Sequence, residues 1–384
     1  MNSGNLLKNS GVCKICHLST VHSAGDTRIF HKECMSLAKA GYSVYFVVTA
    51  EGNKEVNGVR IVPLPRVKNR ILRISMKSGL ALYKSFKVGA CIYHFHDPEL
   101  IPVGLILKLL GKKVIYDVHE DVPEQILSKD YLPSFLKGLL SRIFRNFEKL
   151  SVKAFDFVIT ATEAIKNKFV GRTDSVEAVK NYISLEYVRE GFVNKSKKEV
   201  LDLIFIGVIY RERGIIEGLK ALCLFPDLPV KFVLYGPVSD SFLSELRSID
   251  SVGKLEYRGI IPYPEVIDKL LEADIGYLCD LPLKRHMEGL PVKLFEYMAA
   301  GLPVIASDFP IWRRIVEGYS CGVCVNPVDC RSIAMAIEYL CENPDLRKQM
   351  GLNGKKAIVE EFNWERESDK LVNIYRKLCG GKNV

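Results

Sequence analysis

The sequence predicts an α/β protein of two domains, each a parallel sheet with helices on its faces. Three observations carry this expectation. At 384 residues the chain is too long for one ordinary hydrophobic core. Short apolar runs bounded by glycine, proline and polar clusters alternate with segments of helical period, the order of repeated strand–helix–strand units. A polar stretch at 184–199, with the run Lys195-Ser-Lys-Lys198, separates two such series. One domain is therefore placed at 1–190 and the other at 201–363, with a linker at 191–200.

In the first domain, residues 11–18 read as a strand, 19–28 as a polar loop, 30–40 as a helix ended by Gly41, and 42–49 as a second strand. The loop of such a unit lies at the carboxyl end of the sheet, where ligands bind. Gly25 allows close backbone approach there. Beside Asp26, Arg28 either grips a phosphate bidentately or pairs with Asp26 at the helix start. Residues 56–63 read as a further strand, followed by a basic helical segment. Cys91-Ile-Tyr-His-Phe-His-Asp-Pro-Glu99 and Lys113-Val-Ile-Tyr-Asp-Val-His-Glu-Asp121 are strands running into turns, so two polar clusters leave adjacent strand ends. His94 and His96 point to one side of their strand. With Asp97, Glu99, His119, Glu120 and Asp121 they offer donors of the metal-ligating type. Residues 124–153 read as an apolar and basic helical insertion, 154–160 as a strand, 163–169 as a helix and 177–182 as a strand leading to the hinge.

The second domain opens with a strand at 203–206, then Gly207-Val-Ile-Tyr-Arg-Glu-Arg-Gly214 and a helix. Arg211 and Arg213 have the rigid fork that bridges phosphates, or they sit on the surface beside Glu212 and Glu217. Strands at 230–235, 255–259 and 275–278 follow, with Gly259-Ile260 in a loop. The most informative stretch comes next, Glu288-Gly-Leu-Pro-Val-Lys-Leu-Phe-Glu296, continuing Tyr-Met-Ala-Ala-Gly-Leu-Pro-Val-Ile-Ala-Ser307. Pro291 suits a first helical position, Gly301 suits a left-handed cap, and the spacing predicts a helix over 291–300. Amides near Gly289, Leu290 and Val292, ahead of Lys293, lack intrahelical partners and, with the helix dipole, favour phosphate or hydroxyl oxygens. Glu296, flanked one turn on by Ala299 and Ala300, can accept from two vicinal hydroxyls such as those of a ribose. Glu288 reaches hydroxyls on the other side of the phosphates. The plainer alternative has both glutamates complementing the helix N-terminus, with Glu296 paired to Lys293.

Composition narrows the class. With 48% hydrophobic and 26% charged residues, the chain is of ordinary soluble type. No run reaches the apolar length of a membrane span, and the N-terminus lacks a signal-peptide core, so a cytoplasmic protein is expected. Eleven cysteines in strand-like settings fit the same compartment. Cys13-Lys-Ile-Cys16 and Cys321-Gly-Val-Cys324 have metal-like spacing but sit in apolar runs without a third cysteine, so they read as buried thiols. The formal charge of +9 is uneven: residues 1–198 carry +13 and residues 199–384 carry −4. Basic runs at 66–87 and 137–153 interleave with Ile, Leu and Phe. They describe either an amphipathic helix on an anionic membrane surface or a solvated helix face. No nucleic-acid module accompanies the charge, so no nucleic-acid partner is expected.

The whole string from Glu288 to Ser307 resembles the E-x7-E signature and following small-residue helix of the family 4 retaining glycosyltransferases of GT-B fold. The resemblance implies two Rossmann-like domains facing across a cleft, with a terminal helix at 364–384 crossing back to complete the first. It implies a metal-independent enzyme without a cofactor. The sugar would move from a nucleoside diphosphate sugar to a saccharide or lipid-linked acceptor, in bacterial surface-polysaccharide synthesis at the inner face of the cytoplasmic membrane. His119 then stands where the family has a cleft histidine at the donor sugar and phosphate, or else it only orients Asp117 or Glu120. Arg213 inherits the family's diphosphate-gripping role, and Glu288, the segment 289–293 and Glu296 complete the donor site. Gly207 and the Gly259-Ile260 backbone border it, the latter where the nucleobase lodges. Gly25, Asp26, Arg28, His96, Asp97 and Glu120 fall on the acceptor side. The chain departs from the family at Val208, where an arginine is usual and for which Arg211 is a candidate substitute. It departs again at Ser23-Ala24-Gly25, a thin version of the usual glycine-rich loop. Three alternatives remain: a GT-B epimerase, a glycosyltransferase-like scaffold without turnover, and a metal-dependent hydrolase built on His94, His96 and Asp97.

Overall fold

The computed structural model describes residues 13–69, 72–127, 133–188 and 198–380. The chain divides into two compact units, Met1–Asn181 with Glu367–Val384, and Tyr182–Arg366. The linker expected at 191–200 and the start of the strand expected at 11–18 fall largely or partly outside the described residues.

The first unit holds the strands β1 (Lys14–Ser23), β2 (Ser43–Thr49), β3 (Lys54–Val56), β4 (Val59–Leu64), β5 (Ile92–Phe95), β6 (Lys113–Val118), β7 (Phe157–Thr160) and β8 (Val176–Ala178). They form one sheet in the order β3-β4-β2-β1-β5-β6-β7-β8. Every pairing is parallel except β3 with β4. That exception corrects the single strand expected at 56–63: Asn57 (φ 51°) and Gly58 (φ 78°) make a two-residue hairpin turn between two short strands. Asn-Gly is the sequence signal for such a turn. The expected insertion at 124–153 resolves into the helices Val122–Leu127 and Ser134–Ser151.

Strand alternation gives this sheet two unlike faces. Cys16 and Leu18 of β1, Tyr93 and Phe95 of β5, and Tyr116 and Val118 of β6 pack into an apolar cluster. The residues between them, His17, His94 and Asp117, are also fully buried, on the opposite face. Tyr375 of the last helix, Trp364–Leu378, is buried with them. Residues 367–384 thus belong to the first unit, as the terminal-helix expectation had it.

The second unit holds β9 (Leu201–Ile206), β10 (Val230–Tyr235), β11 (Leu255–Tyr257), β12 (Ile275–Leu278), β13 (Val304–Ser307) and β14 (Gly322–Val325). All pairings are parallel, in the order β11-β10-β9-β12-β13-β14. Numbered within the unit this is 3-2-1-4-5-6, the doubly wound Rossmann order, and its switch point lies between β9 and β12. Both faces are covered. Ile204 and Ile206 face one core with Phe295, Met298 and Trp312, while Leu203 and Phe205 face the other with Phe232 and Tyr277. Such double burial explains the near-continuous apolar runs of these strands. Proline stands one position earlier than expected: the helix that leads into β13 is Val292–Ala300, with Pro291 at its N-cap position and left-handed Gly301 (φ 71°) at its end.

Where β9 and β10 end, their backbones touch. Gly236 has φ 129°, and a Cβ added there would fall 2.0 Å from the Gly207 carbonyl oxygen. Gly236→Ala should therefore cost on the order of 2 kcal/mol or more of stability, read as a lower Tm in a thermal melt. An unchanged Tm would mean that these two strand ends are not in contact.

Candidate active site

The second unit's switch point is built by a loop pinned from both sides. After β9, a helical turn at Arg211–Arg213 ends in Gly214 (φ 64°), which opens the helix Ile215–Leu224. The Tyr277 hydroxyl donates to the Gly214 carbonyl at 2.5 Å, and a Cβ at Gly214 would lie 2.0 Å from the Cys279 carbonyl oxygen. Only glycine fits, and the loop is held against the end of β12. There Arg213 Nη1 donates to Asp280 Oδ2 at 2.5 Å, while its guanidinium lies 5.0 Å from the Tyr210 ring centroid. Asp280 is buried, and Ser307 Oγ donates to its backbone carbonyl at 2.6 Å. Arg213 Nε and Asp280 Oδ1 are buried without a hydrogen-bond partner among the described residues.

Lys293 joins this group from the first turn of the helix Val292–Ala300. Its side chain runs back across Gly207, where an added Cβ would meet Lys293 Cε at 2.5 Å. Its Nζ lies 5.5 Å from the Phe205 ring centroid. Burial and the nearby Arg213 guanidinium lower the Lys293 ammonium from its usual value, with Glu296 and Asp280 opposing. The second cation at Arg213 is thus Lys293. Arg211, the substitute considered from the sequence, pairs instead with Glu245 at the surface at 3.0 Å. Val208 is exposed.

Around the two cations lie the remaining donor-site candidates. Leu294 N–H makes the helix's first bond, to the Pro291 carbonyl, so the amides of Val292 and Lys293 precede the intrahelical ladder. Gly289 is held by its carbonyl, which accepts from Trp312 Nε1 at 2.8 Å, and Leu290 is half-buried beside it. Glu288 is exposed just before this turn. Glu296, half-buried, receives a hydrogen bond from the Tyr263 hydroxyl. Burial and that carboxylate raise the Tyr263 phenol well above its usual value. The Tyr187 ring meets Tyr263 edge-on at 6.1 Å. Gly259 (φ 82°) accepts from the Gly236 amide at 2.7 Å, and Ile260 beside it is exposed. Asp280 and Tyr263 were not singled out from the sequence, although the first stands two positions past a strand and the second follows a helix-starting proline.

In the first unit the switch point lies at β1 and β5, and its candidates divide into buried and accessible. Asp117 is the hub. Arg28 Nη2 donates to both its oxygens at 3.2 and 3.3 Å, and His119 Nε2 and His96 Nδ1 approach it at 3.1 and 3.3 Å. Burial would raise the Asp117 carboxyl, but Arg28 and His119 outweigh it and hold the group well below the usual range. Glu33 lies 3.0 Å from Arg28 Nε and is raised by burial and by Asp117. A chain of imidazoles continues inward: His96 Nε2 to His17 Nδ1 at 2.9 Å, then through the Tyr375 hydroxyl at 3.2 Å to His94 at 2.7 Å. Burial lowers all three histidines, His96 to about 4.

Three acceptor-side expectations change as a result. Arg28 is buried, with its guanidinium committed to Asp117, Glu33 and the Val179 carbonyl (3.0 Å), so it does not present itself to a phosphate. Asp97 is buried and accepts from Ser19 Oγ (2.9 Å) and the amides of Thr20 (2.5 Å) and Val21 (3.2 Å), clamping β1 to the end of β5. His96 is buried behind His119 and positions it. Gly25 and Glu120 are exposed, and Asp26 caps the helix start by accepting from Arg28 and Ile29 amides at 2.9 and 2.8 Å. His119, partly exposed, is the accessible end of the network. Two groups, His17 with Glu33, His94 and His96, and Glu33 with His96, Asp117 and His119, lie close enough to share a metal ion. Asp97 is in neither, and the Arg28 guanidinium already lies against both carboxylates.

A pinned glycine loop, two cations and a helix start stand together at a Rossmann switch point, the kind of place where doubly wound sheets take anionic ligands. The comparisons make the class specific. Residues 25–187 match Glycosyltransferase Family 4 and residues 189–357 match Glycosyl transferases group 1, together most of the chain. An uncharacterized glycosyltransferase of Methanocaldococcus jannaschii is 26% identical over 290 residues, which cover 71% of this chain and 70% of that one. The capsular polysaccharide biosynthesis glycosyltransferase CapM of Staphylococcus aureus is 21% identical over 96% of this chain and 99% of its own. The structure of Anabaena HepE in complex with UDP-glucose superimposes with a TM-score of 0.71 at 13% identity, covering 95% of this chain and 99% of that one. The chain belongs to the family 4 glycosyltransferases, and its fold is GT-B.

The buried histidines carry a pH signature. A histidine whose folded pKa is depressed contributes stability that is complete above its unfolded value near 6.5 and is lost as pH falls toward the folded value, about 4 for His96. Glu33, Glu148 and His22, all raised in the fold, slope the opposite way, so the signature of His96 is read as a difference between two proteins. From pH 6.5 to 4.5 the melts of the His96→Gln variant should lose less stability than those of the unaltered protein. Equal pH slopes in the two proteins would contradict a buried neutral His96.

Proposed function

We propose that this chain is a retaining, metal-independent glycosyltransferase. It moves a hexosyl group from a nucleoside diphosphate sugar to a saccharide or lipid-linked acceptor in the assembly of a bacterial surface polysaccharide. The observation that carries the reading is the convergence of Arg213 and Lys293 at the β9/β12 switch point, beside the start of the helix that bears Glu296. Two cations with unspent donors suit a diphosphate, and Arg213 Nε is one such donor. Glu296, oriented by Tyr263, takes the ribose hydroxyls. The Gly259-Ile260 backbone borders the base, and Glu288, exposed before the helix, reaches hydroxyls of the sugar.

In this mechanism the acceptor hydroxyl attacks the anomeric carbon on the face from which the diphosphate leaves. The carbon–oxygen bond to the diphosphate breaks as the new one forms, and the acceptor proton passes to a diphosphate oxygen. Arg213, Lys293 and the Val292 amide stabilise the charge that grows on that leaving group. His119 is the substrate-facing hydrogen-bond donor of the first unit, positioned by Asp117 and His96. The likeness to HepE, seen with UDP-glucose, supports the donor class, and the relationship to CapM supports the pathway. The exposed Val208 favours a second reading, a donor-binding protein without turnover. Product analysis by mass spectrometry separates the two.

Titration calorimetry with UDP, GDP and their sugars should find one nucleotide bound. Arg213→Ala should weaken it by roughly 10- to 100-fold, as expected for loss of a charge-assisted contact. Glu296→Ala should weaken nucleotide binding with the thermal melt little changed. Unaltered affinity in both variants would remove the assignment. Transfer activity should persist in excess chelator, and its loss there, restored by a divalent cation, would reject metal independence.

A further inference from the structure

Three cysteines far apart in the sequence meet at the amino end of the first unit's sheet. Cys13 stands just before β1 and Cys91 just before β5, the strand beside it, and the Cys91 amide donates to the Lys14 carbonyl at 2.9 Å. Cys379 follows the last helix, Trp364–Leu378, and its amide donates to the Tyr375 carbonyl at 2.9 Å. The Cys13 and Cys379 sulfurs lie 3.0 Å apart across 366 positions of sequence, and both residues are half-buried. The Cys91 side chain reaches Cys13 as well and is exposed. All three are free thiols. Spacing in sequence is not the pairing in space: Cys16 is buried in the apolar cluster on the sheet's face, while Cys13 meets the terminal helix.

Two sulfurs in contact have a chemistry that neither has alone. A disulfide holds them about 2 Å apart, so a shift of about 1 Å at the helix end closes the bond. Among the described residues the groups able to share a metal ion lie on the histidine face, and these thiols are in neither. The bond closes a loop of nearly the whole chain, the case in which a cross-link removes most freedom from the unfolded state. It fastens the helix one turn beyond Tyr375, whose hydroxyl joins His17 to His94. Burial, with the neighbouring Cys379 thiol, pushes the Cys13 thiol up and keeps it protonated and slow to react on its own. The exposed Cys91 is the thiol that an oxidant in solution meets first.

We propose that Cys13 and Cys379 form a reversible oxidation site that takes hydroperoxides and is entered through Cys91. The Cys91 sulfur attacks the peroxide: a sulfur–oxygen bond forms, the oxygen–oxygen bond breaks, and water leaves. Cys13 displaces the remaining oxygen as a second water, giving a disulfide between Cys13 and Cys91. Cys379 then attacks the Cys13 sulfur, and Cys91 leaves as a thiol with the Cys379 proton. In sum, two thiols give two electrons and two protons to hydrogen peroxide, which becomes two waters. A thiol reductant reverses the change. The product ties the terminal helix to the start of β1, and neither it nor its test depends on the transfer reaction.

Purified full-length protein is treated with hydrogen peroxide, quenched with an alkylating agent, digested without reduction and mapped by mass spectrometry. A cross-linked peptide joining Cys13 to Cys379 should appear, and the Tm should rise by about 3 to 8 °C. Dithiothreitol should reverse both. Cys379→Ser should abolish the cross-link and the rise, and so should Cys13→Ser, which keeps the test decisive if one substitution disturbs folding. Cys91→Ser should form the same cross-link at least about tenfold more slowly. Absence of the Cys13–Cys379 peptide once peroxide has oxidised Cys91 would overturn the site, as would Cys13 still joined to Cys91 at the end point. An unchanged rate in Cys91→Ser would overturn entry through that thiol.

Discussion

The parting of β9 from β12 is the constraint from which the second unit's chemistry follows. A parallel sheet covered on both faces has no room for polar groups except beyond the carboxyl ends of its strands. At the point where the strand order reverses, no crossover helix closes the gap. The chain places Arg213 there, bonds it to Asp280 across the switch point, and lays Lys293 back over Gly207 from the neighbouring helix. Gly214 lets its loop meet the Cys279 backbone, Gly236 lets its strand end meet the Gly207 backbone, and Gly207 leaves room for the Lys293 side chain. The cations are held by the same contacts that hold the strands.

The first unit solves a different problem. It buries histidines, carboxylates and an arginine on one face of its sheet and pairs them largely with one another. Asp117 gathers Arg28, His96 and His119, and the terminal helix supplies Tyr375 to the inner histidines. Such a network is costly unless its members are paired, and here it fixes the ring plane of His119, the one member that is partly exposed. Arg28, Asp97 and His96 are buried and bonded to their neighbours within this network and at its strand ends.

Much of this was legible in the sequence because it is local. Strand runs, the glycine cap at Gly301 and the anion-favouring helix start need only neighbouring residues, and the Glu288 to Ser307 string carried a family resemblance that the comparisons bear out. What was not legible depended on distant partners. Arg28 read as a loop residue able to meet a ligand, because its acceptors Asp117 and Val179 lie 89 and 151 positions away. Asp97 looked available because the amides it accepts from belong to β1. Lys293 read as part of the donor segment, or in the plainer alternative as a partner for Glu296, and what could not be read was that its long side chain folds back over Gly207 at the end of another strand. The hairpin at Asn57-Gly58 was legible and went unread, a turn signal inside what looked like one apolar run.

The account stands on the position of the diphosphate. A crystal structure with whichever of UDP or GDP binds more tightly decides it most directly. The expected result is a diphosphate within hydrogen-bond reach of Arg213 and Lys293 at the ends of β9 and β12, with ribose hydroxyls on Glu296. A nucleotide bound elsewhere, with the Arg213–Asp280 pair untouched, would contradict it.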